Sequence, residues 1–475
     1  MGDSMKKTKI IATVGLDNCD KNGIKEMIEA GIDCIRINLS HATHEFSECV
    51  IKNVRELNKE LNKSIAILID TKGPEIRVDK FPFECIEIKE GDRVILSNKE
   101  NNLELKKIRI TYRNLYEDID IDQIIFIDDG LIKLKVIDIV DCDIICESLT
   151  DGVIYPKKGV NIPHTELHID FLSTDDKDDI IFASNMGADY IALSFVRRAD
   201  DVLDVNDMLI GLKDEHMQII AKIENETAVE DLENIVKVSD GVMVARGDLG
   251  VQIPLEKVPA IQKKISKYAY EKNKICIIAT EMMESMSCCP RPTRAEVSDV
   301  ANAVYDCVDA VMLSNETADG KYPIETIDMM KRIIEEAEAT YDYNNVVRNK
   351  NLEDKDMTTA VAYSVVNSAN MLNAKTIVAS TMSGYTAKKV SIYRPTCPII
   401  ATTPNKKTAL SLALNFGVIP VVTKKLNSTD EIVENAIEVS KDIFKLKEED
   451  KIIITGGFPV KKTKYTNFMK IEEIE

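Results

Sequence analysis

The chain has 475 residues, 44% hydrophobic and 30% charged, a composition that builds ordinary globular cores over about three domains. Its 80 acidic and 61 basic residues give a net charge of −19, which disfavours nucleic acid as a partner, so any phosphate ligand must be met by local cations, amide groups or metal. No window of membrane length is free of charge, and the apolar run behind the N-terminal lysines is broken at Asp17, so a soluble, cytoplasmic protein with no membrane partner is expected.

Residues 8–15 (TKIIATVG) read as a buried strand, followed by a helix near 22–30. The next strand covers 34–40 (CIRINLS), where Arg36, Asn38 and Ser40 share a face. Three same-face polar groups in an apolar run call for a polar cavity or an ion. A helix near 44–61 leads to a strand at 64–70 that ends in Asp70. From 73 to about 170 the pattern changes to short β-like runs at 85–88, 93–96, 124–127, 131–140 and 144–147, with turn signals such as Glu90–Gly91 between them. That predicts an all-β domain inserted into an α/β one.

Strand–helix alternation resumes with strands at 189–196, 218–223, 241–245, 275–280 and 310–313. With the three earlier strands these make eight, which predicts a (β/α)₈ TIM barrel. Arg36, Asn38, Ser40, Asp70, Lys222, Glu224, Asp248, Thr280 and Glu316 all lie at or just past strand C-termini, which a barrel gathers at one mouth. Lys222 and Glu224 share a strand face, and Glu224 and Asp248, on neighbouring strands, could hold one hard cation. The plain alternative is charged strand ends facing loops. A helix through 333–339 precedes a polar linker at 344–356. Strands at 376–379, 399–401, 418–422 and 451–454 then predict a third, α/β domain. The first of these enters Thr381–Met382–Ser383–Gly384–Tyr385–Thr386, either a phosphate cradle or an N-cap turn. Eleven cysteines without a C-x-x-C spacing fit reduced, buried thiols, and the pair Cys288–Cys289 reads as structural.

Several segments together resemble the signatures of the pyruvate kinase family: DTKGPEIR (70–77), KIEN (222–225), MVARGDLG (243–250), PRPTRAE (290–296) and SDVANAV (298–304). The likeness spans essentially the whole chain. It implies a barrel in two parts (1–72 and 171–343), an inserted β-barrel lid domain (73–170), the linker (344–356) and a C-terminal α/β allosteric domain (357–475), with no further phosphotransfer-type domain after it. It also implies transfer of the phosphoryl group of phosphoenolpyruvate to ADP, giving pyruvate and ATP. By resemblance, Lys222 is the catalytic lysine and Arg36 the phosphoryl-binding arginine. Glu224 and Asp248 are the ligands of Mg²⁺ (or Mn²⁺), and Asn38, Ser40, Asp70 and the carbonyl of Thr71 those of K⁺. Glu75 supports the K⁺ site, because a glutamate there accompanies K⁺ dependence in the family and a lysine accompanies independence.

The same resemblance makes the amides of Gly247 and Asp248 a cradle for the substrate carboxylate, and Thr280 part of the proton route to carbon. Asn38, His41, Arg77 and Lys158 become nucleotide contacts, Lys158 arriving on the lid. Thr381, Ser383, Gly384 and Thr386 match an effector-phosphate loop. Met382 and Tyr385 make that loop poor in charge, which favours a singly phosphorylated sugar or AMP. A homotetramer is expected on the same grounds. The chain departs from the family at Leu16–Asp17 (usually Gly-Pro), Glu281 (usually Gln), Ile162–Pro163–His164 (usually Leu-Pro-Gly-like) and Asn315 (usually Gly, with Asn expected to keep a left-handed backbone). Two competing readings are a nucleotide-free barrel aldolase or decarboxylase, and a non-catalytic metabolite sensor.

Overall fold

A computed structural model describes residues 5–165, 167–343, 356–457 and 465–475 of the chain. The expected linker lies outside the described residues apart from Asp356. Strands β1 (Lys9–Thr13), β2 (Cys34–Asn38) and β3 (Ala66–Asp70) are separated by helices Lys21–Ala30 and His44–Glu60. Every residue of β1 and β3 is buried, as strands covered on both faces must be. The helix starts are fixed by side-chain caps: Asp20 accepts from the Gly23 N–H and Thr43 from the Phe46 N–H.

After β3 the chain leaves the barrel and builds a strand-rich domain. It holds β4 (Ile86–Ile88), β5 (Arg93–Ser97), β6 (Lys107–Arg109), β7 (Ile124–Ile127), β8 (Ile132–Val140), β9 (Asp143–Ser148), β10 (Gly152–Ile154) and β11 (Val160–Asn161). Six of them form one sheet in the order β11–β7–β8–β9–β5–β6, and β10 pairs with β4. Along β8, Ile132, Leu134 and Val136 are buried and alternate with Lys133 and Lys135. That period of two is the signal read from the sequence. Strands β6, β10 and β11 have only 3, 3 and 2 residues, too few to show such a period, and sequence reading misses them. It also misses the single helical turn Leu115–Asp118.

The barrel resumes with β12 (Tyr190–Leu193), β13 (Gln218–Ile223), β14 (Gly241–Ala245), β15 (Ile275–Ala279) and β16 (Ala310–Leu313). It closes in the order β1–β16–β15–β14–β13–β12–β3–β2, all parallel. Four strands end earlier than expected, at Thr13, Asn38, Leu193 and Ala279. At β2 the cause is visible: the Asn38 side chain accepts from the Ser40 N–H at 3.1 Å, a local bond that competes with the ladder. Ser40, Ser194 and Thr280 therefore stand on turns at the rim.

The C-terminal domain carries β17 (Thr376–Ser380), β18 (Ile399–Thr403), β19 (Val418–Val422), β20 (Lys451–Gly456) and β21 (Phe468–Glu473), in the order β19–β18–β17–β20–β21. The antiparallel edge strand β21 is a further element the sequence reading lacks. Ala413 and Leu414 of this domain join Ile11, Leu68, Tyr190, Ile220 and Met243 in one buried cluster inside the barrel. Arg394 fastens the junction: it donates to Asp309 at 2.7 Å and to the Cys307 carbonyl at 2.7 Å, and lies 4.5 Å over the Phe416 ring. Among the described residues no helix is long and apolar enough to cross a membrane.

Candidate active site

Lys222 sits one residue before the end of β13 and is the centre of the mouth. Its ammonium donates to Ser194 Oγ at 2.7 Å and lies 2.9 Å from Glu224 Oε1 and 3.2 Å from Asp70 Oδ1. Burial alone would depress its pKa, but Asp70 and Glu224 outweigh burial and hold the lysine charged, with its pKa above the ordinary value. Register brings Arg36 alongside, since β2 pairs with β3 so that Asn38 faces Asp70. Arg36 Nε donates to Asp70 Oδ2 at 2.8 Å and Nη1 to Thr13 Oγ1 at 3.0 Å. Asp70 is fully buried, which would raise its pKa, yet Lys222 and Arg36 pull it below the usual carboxylate value.

Glu224 and Asp248 behave differently. Glu224 Oε2 accepts from the Phe195 N–H at 2.7 Å, whereas Oε1 is buried against the Lys222 ammonium at 2.9 Å. Burial lifts the Glu224 carboxyl to about 7; Lys222 opposes the rise and Asp248 adds to it. Asp248 is likewise raised, first by burial and then, against Lys222, by Glu75, Asp129 and Asp70. Three carboxyl groups (Asp70, Glu224, Asp248) face two cations (Lys222, Arg36), so carboxyls outnumber cations in this buried site. That is a donor set suited to a hard cation.

On the opposite rim, Thr280 and Glu281 take consecutive left-handed backbones, with φ of +66° and +55°. Such conformations are costly away from glycine and mark a place the surroundings over-determine. Arg246 supplies part of that restraint, donating to the Thr280 carbonyl from Nη2 at 2.7 Å and to Asp299 from Nη1 at 2.5 Å. Gly247, in the short helix Arg246–Gln252, donates its N–H to Thr280 Oγ1 at 2.8 Å. The amide expected to cradle a carboxylate is thus engaged by Thr280 and must exchange partners to do so.

The remaining sequence-identified residues fall into three places. Asn38, Ser40, Asp70 and Thr71 line the β2–β3 side, where the Thr71 carbonyl accepts from Ser194 Oγ at 2.6 Å. His41 is exposed, and partial desolvation, then Arg77 and Arg36, lower its pKa. Arg77 and Lys158 stand at the root of the inserted domain: Arg77 bridges to Gly159 and donates to Glu75 at 2.8 Å, while Lys158 pairs with Asp128 at 2.8 Å. Thr381, Ser383 and Thr386 line a small cleft in the C-terminal domain, with Lys424 on its wall; Gly384, between them, has φ of +81°.

Sequence reasoning missed Ser194, which joins Lys222, Asp70 and Thr71, and also Thr13 and Arg246. Ser194 and Thr13 were legible as hydroxyls within apolar runs. Arg246 was visible only as a strand-end charge. Asn315 opens the helix Asn315–Ala318 and is not among the left-handed residues. His164 does take the left-handed backbone, with φ of +59°, where relatives carry a Leu-Pro-Gly-like segment. It pairs with Glu226 at 2.5 Å, while His168 pairs with Asp118 at 2.8 Å. Glu281 is exposed, and Leu16 is 79% exposed on the rim. Gly15 beside it has no room for a side chain, since a Cβ would lie 1.8 Å from the Ala318 carbonyl oxygen. Burial of the cysteines holds for Cys34, Cys146, Cys276 and Cys397, but Cys49, Cys288 and Cys289 are exposed.

A closed parallel barrel with a buried lysine among carboxylates at its C-terminal mouth, and a β domain rooted at that mouth, defines a barrel enzyme for anionic substrates. The family model described as pyruvate kinase, barrel domain, matches residues 5–327, and that described as pyruvate kinase, alpha/beta domain, matches 359–472. The pyruvate kinase of Clostridium perfringens is 43% identical over 474 residues, 99% of this chain and 100% of that protein. Those of Staphylococcus saprophyticus and Staphylococcus aureus strain MRSA252 are 42% and 43% identical over 470 residues, 98% of this chain and 80% of each of those proteins. The chain belongs to the pyruvate kinase family. It is a phosphotransferase, and its reaction is the family's: phosphoenolpyruvate and ADP give pyruvate and ATP, the last step of glycolysis. The family works with divalent and monovalent cations.

Proposed function

We propose that Lys222, Arg36 and Thr280 are the catalytic residues of this reaction. Glu224 and Asp248 hold Mg²⁺ (or Mn²⁺), and Asn38, Ser40, Asp70 and the Thr71 carbonyl hold K⁺. The observation that carries the reading is the Lys222 ammonium, buried and kept charged between Asp70 and Glu224. The Glu224 and Asp248 carboxyls, both raised by burial and Glu224 further by Asp248, support a divalent ion, which would supply charge neutralisation to the transferring phosphoryl group. Among the described residues no three such ligands converge, so substrate and water oxygens would complete the shell.

Arg36 offers a planar fork to phosphoryl oxygens, and Lys222 a point charge to the phosphoryl group and then to the enolate oxygen. Thr280 Oγ1 is part of the route that delivers a proton to the enolate carbon, and the N–H groups of Gly247 and Asp248 orient the substrate carboxylate. ADP meets Asn38, His41, Arg77 and Lys158, the last two carried by the inserted domain acting as a lid. We divide the chain into 1–72, 73–170, 171–343, 344–356 and 357–475 on this reading. The protein works in the cytoplasm as a homotetramer, and the cleft at Thr381, Ser383, Gly384 and Thr386 takes a singly phosphorylated sugar or AMP. Among the described residues Lys424 is the cation on its wall, which suits one phosphate better than two. Pyruvate formation from phosphoenolpyruvate and ADP, with Mg²⁺ present and K⁺ added or withheld, tests the core of the proposal. Turnover that needs ADP and rises with K⁺ is expected, and turnover indifferent to K⁺ removes the monovalent site. Strong activation by fructose 1,6-bisphosphate alone counts against the effector reading.

A further inference from the structure

The inserted domain leaves the barrel through Thr71–Gly73 and returns through residues 167–173. Both legs end on one carboxylate. Asp176, in the first turn of helix Thr174–Asn185, is 1% exposed. Its Oδ1 accepts from the Gly73 N–H at 2.9 Å, on the outgoing leg and 103 positions away. Its Oδ2 accepts from Ser173 N–H at 3.1 Å and Ser173 Oγ at 2.6 Å, on the returning leg. Capping the helix requires only Oδ2 and the reciprocal bond from Asp176 N–H to Ser173 Oγ at 3.0 Å. The second oxygen is spent on the other leg.

The surroundings make this crossing a fixed point. Thr71 is held to the barrel by its N–H on the Ala192 carbonyl at 3.0 Å. Gly73 has φ of +66°, and a Cβ there would lie 2.5 Å from the Ser194 carbonyl oxygen, so the outgoing leg is pressed against β12's C-terminal turn. Farther along the return, Arg197 Nη1 reaches the carbonyls of Leu167 and Ile169 at 3.2 and 3.0 Å. Beyond these ties the two legs pair with each other, through the Val78 N–H on the Lys158 carbonyl at 2.8 Å.

We propose that Asp176 is the pivot of the inserted domain, a positioning residue whose carboxylate fixes the axis on which Arg77 and Lys158 swing over the mouth. The proposal rests on the reading that the insert meets the nucleotide. That reading fails on its own terms if Arg77→Ala leaves the KM for ADP unchanged.

The test compares Asp176→Asn, of the same shape but with one carbonyl acceptor, with Ser173→Ala, which weakens the cap and leaves the Gly73 bond. A loosened axis lowers the closed fraction and so raises the apparent KM of the ligand that needs closure. Asp176→Asn is expected to raise the KM for ADP about fivefold or more and the KM for phosphoenolpyruvate less than about twofold. Ser173→Ala is expected to lower the melting temperature and to change neither. Equal changes in both KM values for Asp176→Asn, no change in either, or the same split in Ser173→Ala overturns the proposal. Hydrogen exchange on the unaltered protein gives a second measurement. Peptides covering Gly73 and Ser173–Asp176 should stay protected with and without Mg-ADP while exchange in the insert changes; loss of their protection on nucleotide binding overturns the pivot.

Discussion

Replacing Lys222 by methionine tests the centre of the site. The change keeps an apolar stem of similar length and removes one of two cations facing Asp70, Glu224 and Asp248. Three contacts vanish at once: 2.7 Å to Ser194, 2.9 Å to Glu224 and 3.2 Å to Asp70. Breaking a buried pair by removing one partner costs about 3–5 kcal/mol. Loss of a charge aimed at a developing anion costs a further ~3–4 kcal/mol in the transition state, or about 10²–10³ in rate. The barrel has core to spare, so the variant should fold, with a lower melting temperature that Mg²⁺ restores more fully than it raises the wild type's. In direct pyruvate assays kcat should fall by about 10³ or more. A folded Lys222→Met variant with kcat within about tenfold of wild type would refute the role assigned to this lysine.

The carboxylate beside it predicts a pH effect. Burial lifts Glu224 to about 7, above the 4.5 of a free side chain, so the fold binds an extra proton between those values and loses stability as pH rises through about 7. In metal-free buffer Glu224→Gln should therefore lose less stability than wild type between about pH 5 and 8, and equal losses on thermal unfolding would contradict this. Glu75→Lys, placed 2.8 Å from Arg77 and in the field of Lys222, should support turnover without K⁺; retention of full K⁺ dependence would exclude substitution of the ion by an ammonium. Arg394→Met should destabilise the chain by about 3–5 kcal/mol, because it strands Asp309 in the domain junction, and a change under about 1 kcal/mol in chemical denaturation would dismiss that ion pair as a fastener.

The barrel was legible because its eight strands are short apolar runs spaced by helices, and period-two burial in β8 is as clear in letters as in space. Residues that act by their own chemistry could be named from spacing and family likeness: Lys222 and Asp70 do meet, at 3.2 Å. What could not be read were partners set by register and turn geometry. Ser194 enters the site only because β12 stops at Leu193 and the chain turns there. Asp176 looked like one acid among many in TDDKDD, and its second bond, 103 positions away, leaves no local trace. Strand β21 closes an edge through pairing with β20, a contact made by tertiary structure and weakly written in its own residues.

The floor of the barrel has a consequence for dissection. Leu414 sits among Ile11, Leu68 and Met243, its N–H reaching the Tyr190 hydroxyl 224 positions earlier. The catalytic unit therefore borrows its bottom layer from the domain proposed to sense effectors. A fragment ending at Tyr343 would open that apolar floor to water and should aggregate before it could be assayed. Nor is the third domain a cassette: exchanging it between relatives would swap part of the barrel's own core, and any chimaera would have to carry Ala413, Leu414 and Phe416 matched to Tyr190 and Asp309.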